Sequence, residues 1–318
     1  MFNNFDKRPA DRLFLTRDAT ENGISEWELR KSGHSDQIIH GVRSSHRNRS
    51  LRAVPAWADE EWDSTSRILR ALLIKYPHIA ASHASAGILH GLPIPRRVND
   101  GNLHVATDDP NLRIRRRGIV AHRVTDFSRV NVLGHQLIAG PTLFLQLAGQ
   151  LDLRNLVRIG DAMIGRWQGP PLCSLDQLQS HFSSRRIVKN RATVKSALTL
   201  IRPDVDSPME TDLRLWLISA GLPEPEIHPV VHCRLFNASI RPDLGYPAAK
   251  LALEYEGEQH RTDQQQWRTD ISRVNALVQE GWLVLRVTSG ADFQALEAQI
   301  RERLREAGYR LSSDSGHL

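Results

Sequence analysis

The sharpest pattern of apolar and polar positions lies in the last third of the chain. In Lys250-Leu251-Ala252-Leu253-Glu254-Tyr255-Glu256, Leu251, Leu253 and Tyr255 fall on one face of an extended segment. Glu254 and Glu256 fall on the other, because strand side chains alternate. Around this strand the spacing predicts a helix over 207–220, opened by Ser207, Pro208 and Glu210 and closed by Gly221. Strands are expected over 227–236 and 238–244, then a helix over 263–280 with Trp267, Ile271, Val274, Leu277 and Val278 on one side. A strand over 282–288 and a helix over 292–307 complete an α-β-β-β-α-β-α order.

Upstream the pattern is more mixed. Residues 1–21 are polar and are assigned no element. Ser25 and Glu28 have capping-box spacing for a short helix that Gly33 would stop, and residues 37–42 read as a strand pair turning at Gly41. A helix is expected over 63–76, with Ile68, Leu69, Leu72 and Leu73 on one face, and another from Ser82 to Gly91, followed by Pro93 and Pro95. Strands are expected at 103–106 and 119–124, and helices at 143–151 and 153–164. His83 and His90, seven apart on one helical face, read as packing or capping groups rather than zinc ligands. The expected fold class is a multidomain α+β protein, divided into 1–58, 59–170, a basic helical connector over 171–205, and 206–318.

Charge sharpens this division. The formal net charge is +6. Residues 1–200 hold 29 Lys+Arg against 18 Asp+Glu, whereas 201–318 hold 13 against 18. A basic front suits phosphate backbones, and DNA is the expected partner. The cations expected to contact it are Arg30, Lys31, Arg43, Arg47 and Arg49. No apolar segment follows Lys7 and Arg8, and no apolar run approaches the ~20 residues of a membrane span, so neither a signal peptide nor a membrane partner is expected. Cys173 and Cys233 have no metal-like spacing, which fits a reducing cytoplasm.

The acidic rear carries the candidate chemistry. Asp243 follows Arg241 and Pro242; if its strand neighbours that of Glu254 and Glu256, three carboxylates converge. Two carboxylates about 4 Å apart repel by roughly 4 kcal/mol at an effective dielectric near 20. Such a cluster calls for a proton or a cation, and oxygen donors without thiolate favour Mg²⁺ or Mn²⁺. The chain has no Walker loop, GxGxxG, GxSxG or HExxH motif.

Arg241-Pro242-Asp243, ten residues, then Glu254-Tyr255-Glu256-Gly257 and His260 resemble the signature of PD-(D/E)XK nucleases, and the acid-x-acid-Gly-x-x-His form resembles the Vsr-like branch. The likeness spans about 207–295 and includes Ser207 to Thr211, Asp270, Arg273, Asn275, Gly281-Trp282 and Leu285 to Thr288. It implies a restriction-endonuclease-like fold that hydrolyses DNA phosphodiesters with Mg²⁺ or Mn²⁺. On this reading Asp243, Glu254 and Glu256 hold the metal, Glu210 completes the carboxylates, His260 moves a proton or touches the phosphate, and Gln259 orients the water or a phosphate oxygen. The chain departs from the pattern by placing Glu256 where the motif has lysine; Lys250 shares the Glu254 face. Gly23-Ile24-Ser25, Ser82 to Ala86, His90 to Pro93 and Pro141 to Ala148 resemble AbiEi-type antitoxins, which implies a winged helix in the front, a repressor-like role and a toxin partner. The alternative to an endonuclease is therefore a DNA-binding regulator or antitoxin with a degenerate nuclease domain.

Overall fold

In the computed structural model the described residues are 5–30, 35–166, 169–234, 237–256 and 264–311, with the side chains of 30, 46–49 and 264–271 left aside. The chain is a mixed α/β, multidomain protein with several sheets, and it divides into two compact units, 1–203 and 204–318.

The first unit opens with β1 (Phe5–Leu15), α1 (Glu26–Arg30), β2 (Ser35–Ile39) and β3 (Val42–Pro55). The three strands form an antiparallel sheet in the order β1-β3-β2. The polar stretch that periodicity left unassigned is thus a long strand. Its partner β3 supplies the hydrogen bonds, so β1 needs no strong apolar alternation of its own. The capping box at the start of α1 is present: Ser25 N donates to Glu28 Oε2 at 2.9 Å and Glu28 N to Ser25 Oγ at 3.3 Å. Gly41 (φ 83°) turns β2 into β3, a left-handed conformation that favours glycine.

Next come α2 (Glu60–Lys75), β4 (Ala80–Ala81), α3 (His83–His90), β5 (Leu103–Thr107), β6 (Ile119–Arg123), β7 (Arg129–Val132) and β8 (His135–Ile138). Four helices follow, α4 (Gly140–Ala148), α5 (Leu153–Ile164), α6 (Leu175–Ser184) and α7 (Arg191–Leu200). α2 begins earlier than its apolar stripe because the Asp59 side chain accepts from Trp62 N at 2.8 Å. The second sheet has the order β6-β5-β4-β8-β7. Trp62, Leu69, Leu72, Ile79, Leu137, Phe144, Leu147, Leu156 and Ile159 are fully buried and form much of its core. Cys173 is free and buried, as is Cys233 in the second unit. No helix among the described residues is long and apolar enough to cross a membrane.

The second unit contains α8 (Pro208–Ser219), β9 (Glu226–Ile227), β10 (Val231–Cys233), β11 (Ala238–Ile240), β12 (Leu244–Tyr246), β13 (Leu251–Tyr255), α9 (Gln264–Gln279), β14 (Leu283–Val287) and α10 (Phe293–Glu306). Each of the two strands expected before β13 is split. Pro229 and Pro242 have no N–H to give a ladder, and His228 adopts φ 47°. The pieces β10 and β11 pair with each other, while β9 and β12 join a four-stranded sheet of order β14-β13-β12-β9. β13 runs antiparallel to β12 and parallel to β14.

Both faces of β13 are covered. Leu251 and Leu253 pack with Leu213 and Leu217 of α8 and with Leu296, Ile300 and Leu304 of α10. Ala252 packs on the other face with Ala276 and Leu277 of α9. The apolar segment therefore ends where Glu254 begins, and the sheet presents its first carboxylates at the carboxyl end of β13.

Gly245, at the centre of β12, leaves no room for a side chain: a Cβ there would lie 2.9 Å from Pro229 Cγ and 3.0 Å from the Leu251 carbonyl oxygen. Backbone and a rigid ring cannot yield cheaply. Gly245→Ala is expected to cost about 1–3 kcal/mol, read as a lowered urea midpoint, and to displace the neighbouring Asp243. An unchanged midpoint would show that β12 and the Pro229 turn have slack.

Candidate active site in the second unit

Four segments of this unit bring polar groups to one place. α8 is capped by Ser207, whose Oγ accepts from Glu210 N at 3.2 Å. This fixes the first helical turn and turns the Glu210 side chain inward, where it is only 5% exposed. Its Oε2 accepts from Asp206 N at 3.0 Å and lies 3.2 Å from His228 Nε2. Glu210 thus closes the helix start and also belongs to the site.

His228 sits at the break after β9. Its backbone N–H donates to the Asp243 carbonyl at 3.1 Å, which ties the two residues together through the main chain. Asp243 precedes β12, and its Oδ2 accepts from Tyr255 N at 2.8 Å. Leu244 pairs with Leu253, so the antiparallel register carries Asp243 beside Glu254. Glu210, His228 and Asp243 can each offer one ligand atom, and these atoms all lie within 4.8 Å of one another.

The electrostatics follow from that crowding. Burial pushes the Asp243 carboxyl up to about 6; the Tyr255 N–H pulls the other way, while Glu210 and Glu254 push further up. The hydrogen bond to Glu210 raises His228 against the opposing effect of burial, and the charges of Glu210, Asp206 and Asp243 raise it again. Asp206 is raised as well, chiefly by burial. Asp243, His228 and Asp206 each hold a proton more tightly than they would in water. Two carboxylates and an imidazole, all neighbours of a further carboxylate, form a donor set suited to a divalent ion.

The residues expected from the sequence divide into three groups. Glu210, Asp243 and Glu254 are brought together. Glu254 Oε1 lies 3.8 Å from Arg273 of α9, which also donates to the Arg241 carbonyl at 3.0 Å. Glu256 is directed elsewhere: it falls just beyond β13 and its Oε1 pairs with Arg286 Nη1 at 2.6 Å, the cation that β14 places alongside. His228, and not Glu256, stands close to Glu210 and Asp243. Lys250 also leaves the Glu254 face. It adopts φ 46° at the end of a 3-10 turn, and its Nζ donates to the Glu280 carbonyl at 2.8 Å. Gln259 and His260, with Gly257, lie outside the described residues.

His228 escaped the sequence reading because it was taken as one position within a continuous strand. Its signal is the following Pro229, which forbids an uninterrupted ladder and frees the histidine side chain to turn toward the opening of α8.

Among the front cations, Arg43 donates from Nε to Ser35 Oγ at 2.9 Å and from Nη2 to the Ser35 carbonyl at 3.0 Å, so it links β3 to β2. Arg30 ends α1 and Arg47 and Arg49 belong to β3, but their side chains, and Lys31 entirely, lie outside the described residues. Arg113, Arg115 and Arg117, which sequence reading did not single out, are exposed just before β6.

No protein-family model matches the chain. It is 23% identical over 232 residues to the uncharacterized proteins MT2308 and Rv2248 of two Mycobacterium tuberculosis strains, a match covering 73% of this chain and 82% of each relative. The crystal structure of the RV2827C protein from Mycobacterium tuberculosis is a distant neighbour, with TM-score 0.37 and 17% identity, covering 59% of this chain and 70% of that one.

The raised Asp243 gives a pH prediction for metal-free protein. A carboxyl raised in the folded state stabilises it fully below the unfolded value of 3.8, and this contribution is lost as pH rises to about 6. The full shift corresponds to about 3 kcal/mol. With chelator present, the unit should lose stability between pH 4 and 7, and Asp243→Asn should remove much of that loss. Urea midpoints of both proteins across this range check it; parallel pH profiles would refute it.

Proposed function

We propose that the protein is a metal-dependent endonuclease acting on DNA, with its catalytic centre at Glu210, His228, Asp243 and Glu254. The observation that carries this reading is the convergence of Glu210, His228 and Asp243 within 4.8 Å, with Asp243 pushed up to about 6 by burial and neighbouring carboxylates. The element order around them and the Pro242-Asp243 … Glu254 spacing accord with the restriction-endonuclease-like fold implied by the PD-(D/E)XK, Vsr-like resemblance.

Asp243, Glu254 and Glu210 would hold Mg²⁺ or Mn²⁺. The ion would polarise the scissile phosphate and lower the pKa of an attacking water. The chain's own groups do the rest. The Tyr255 N–H fixes the Asp243 carboxylate, and Ser207 fixes the turn that carries Glu210. His228, held by Glu210, gives a proton from Nε2 to the departing oxygen. Arg273 sets a positive charge beside Glu254, where a phosphate oxygen approaches. In the first unit, exposed Arg113, Arg115 and Arg117 join the front cations in holding the DNA backbone.

A specific observation favours a second reading. The motif lysine is absent, Glu256 is paired with Arg286, and Lys250 is committed to the Glu280 carbonyl. A non-catalytic DNA-binding regulator, of the kind the AbiEi-like and winged-helix resemblance of the front implies, with a toxin as partner, keeps the carboxylates only as a relic.

The test is incubation with supercoiled plasmid in Mg²⁺, Mn²⁺ or chelator. Metal-dependent nicking is expected, reduced to background in Asp243→Asn and Glu254→Gln, and lowered about 10²–10⁴-fold in His228→Gln. Cleavage that survives Asp243→Asn would exclude this centre. Salt-sensitive DNA binding without cleavage under any metal would favour the regulator.

A further inference from the structure

A second cluster lies in the first unit, independent of the carboxylate centre. β5 and β6 run parallel, with His104 opposite Val120 and Ala106 opposite His122. His104 and His122 are therefore diagonal neighbours on one face of the sheet. His104 Nδ1 lies 2.9 Å from His122 Nε2, and the His104 Nε2 lies 3.1 Å from Asp100 Oδ1. α3 begins over this pair. Its first residue, His83, stacks on His122 with ring centroids 3.9 Å apart. One nitrogen from each of the three histidines lies within 4.8 Å of the other two.

We propose that His83, His104 and His122 bind a zinc-class divalent cation, leaving a fourth position to water or an incoming ligand. Donor chemistry selects the ion: imidazole suits zinc and its late first-row neighbours, whereas a set without carboxylates or carbonyls does not suit Mg²⁺ or Ca²⁺. Distance fits. Two nitrogens at 2.0–2.1 Å from a tetrahedral ion stand about 3.3 Å apart, so the His104–His122 pair needs to part only by tenths of an ångström. His83 Nδ1 lies 3.1 Å from Ser82 Oγ, a contact that ligation through this nitrogen would exchange for the ion.

Asp100 supplies the outer support that ligating histidines need. It accepts from His104 Nε2–H, which fixes the tautomer and leaves Nδ1 with its lone pair aimed at the cluster. The His83 backbone is a second sign. A β-carbon residue held at φ 49° is strained, and it is held there with its N–H donating to Gln146 Oε1 at 3.2 Å. Burial and the neighbouring imidazoles hold His83 down to about 3 and lower His122, with Lys189 adding to both.

The test is calorimetric titration of the full chain, stripped with chelator, with Zn²⁺ alone, beside Co²⁺ titration followed by visible absorption. The unmodified protein is expected to bind an equivalent of Zn²⁺ at about 1 µM or tighter, and Co²⁺ should give the intense band of a low-coordinate site. Half-exposed His122 can be replaced without opening a core. His122→Gln should lose that equivalent, and Asp100→Asn should weaken it about 10–100-fold. Asp243→Asn should retain it, which separates this site from the carboxylate centre. Zinc binding unchanged in His122→Gln, zinc binding lost entirely in Asp243→Asn, or no zinc bound by folded unmodified protein would each overturn the proposal.

Discussion

The confinement of Glu210, Asp243 and Glu254 at the end of the second sheet sets the terms for the rest of that unit. Carboxylates withdrawn from water repel one another, and the chain must hold them by other means. It does so with backbone. Tyr255 N–H grips Asp243, Asp206 N–H grips Glu210, and the Asp243 carbonyl fixes His228. Each donor belongs to a segment locked by the core of α8, β13 and α10. The apolar packing of Leu213, Leu251, Leu253 and Ile300 therefore keeps the carboxylates together, and the His228 imidazole lies 3.2 Å from Glu210, which raises its pKa. Without that packing the acids would separate, since nothing in their own interactions favours closeness.

This explains what was legible in the sequence. The alternation of Leu251, Leu253 and Tyr255 marked β13, and Ser207 and Gly221 marked the ends of α8. Of the apolar face expected on α9, Leu277 is buried, Val278 is exposed, and the side chains of Trp267 and Ile271 lie outside the described ones. Asp243 and Glu254 were legible on the condition that their strands are neighbours, and the β12–β13 pairing meets that condition. His228 was not readable in this way. Its position depends on a break in the β9 segment and a left-handed backbone, both local departures from strand period. Glu256 illustrates the opposite failure. Alternation placed it beside Glu254, but the strand ends at Tyr255, and Arg286 on parallel β14 offers a closer partner than a crowded acidic site.

The first unit was harder to read for a related reason. Its arginines raise the net charge, yet several of them act inside the fold. Arg52 donates to Ser66 and to the Leu133 carbonyl, and burial lowers it to about 10. Arg8 pairs with Asp63, Arg67 with Asp11, and Arg185 with Asp126. A count of basic residues treats all of these as surface. Arg115 and Arg117 are exposed before β6, whereas the exposed Arg113 donates to the Pro110 and Leu112 carbonyls. Long-range pairing hid β1 in the same way, since its hydrogen bonds run to β3 rather than to neighbours in sequence.

The two clusters differ in a way that bears on which ion each would select. The second unit offers carboxylates with a single imidazole; the first offers three imidazoles steered by one carboxylate. Hard oxygen donors tolerate several retained waters and suit ions that exchange ligands during catalysis, whereas an imidazole set favours zinc over magnesium. The charge balance runs the same way. Carboxylates lose mutual repulsion when a dication enters, so the rear centre gains most from an ion of modest affinity. The histidine cluster has no such carboxylate repulsion to relieve, and it would depend on directional lone pairs and on Asp100 to orient them. Were both clusters to take ions, as proposed, donor atom and not charge would separate them, since Mg²⁺, Mn²⁺ and Zn²⁺ carry the same charge.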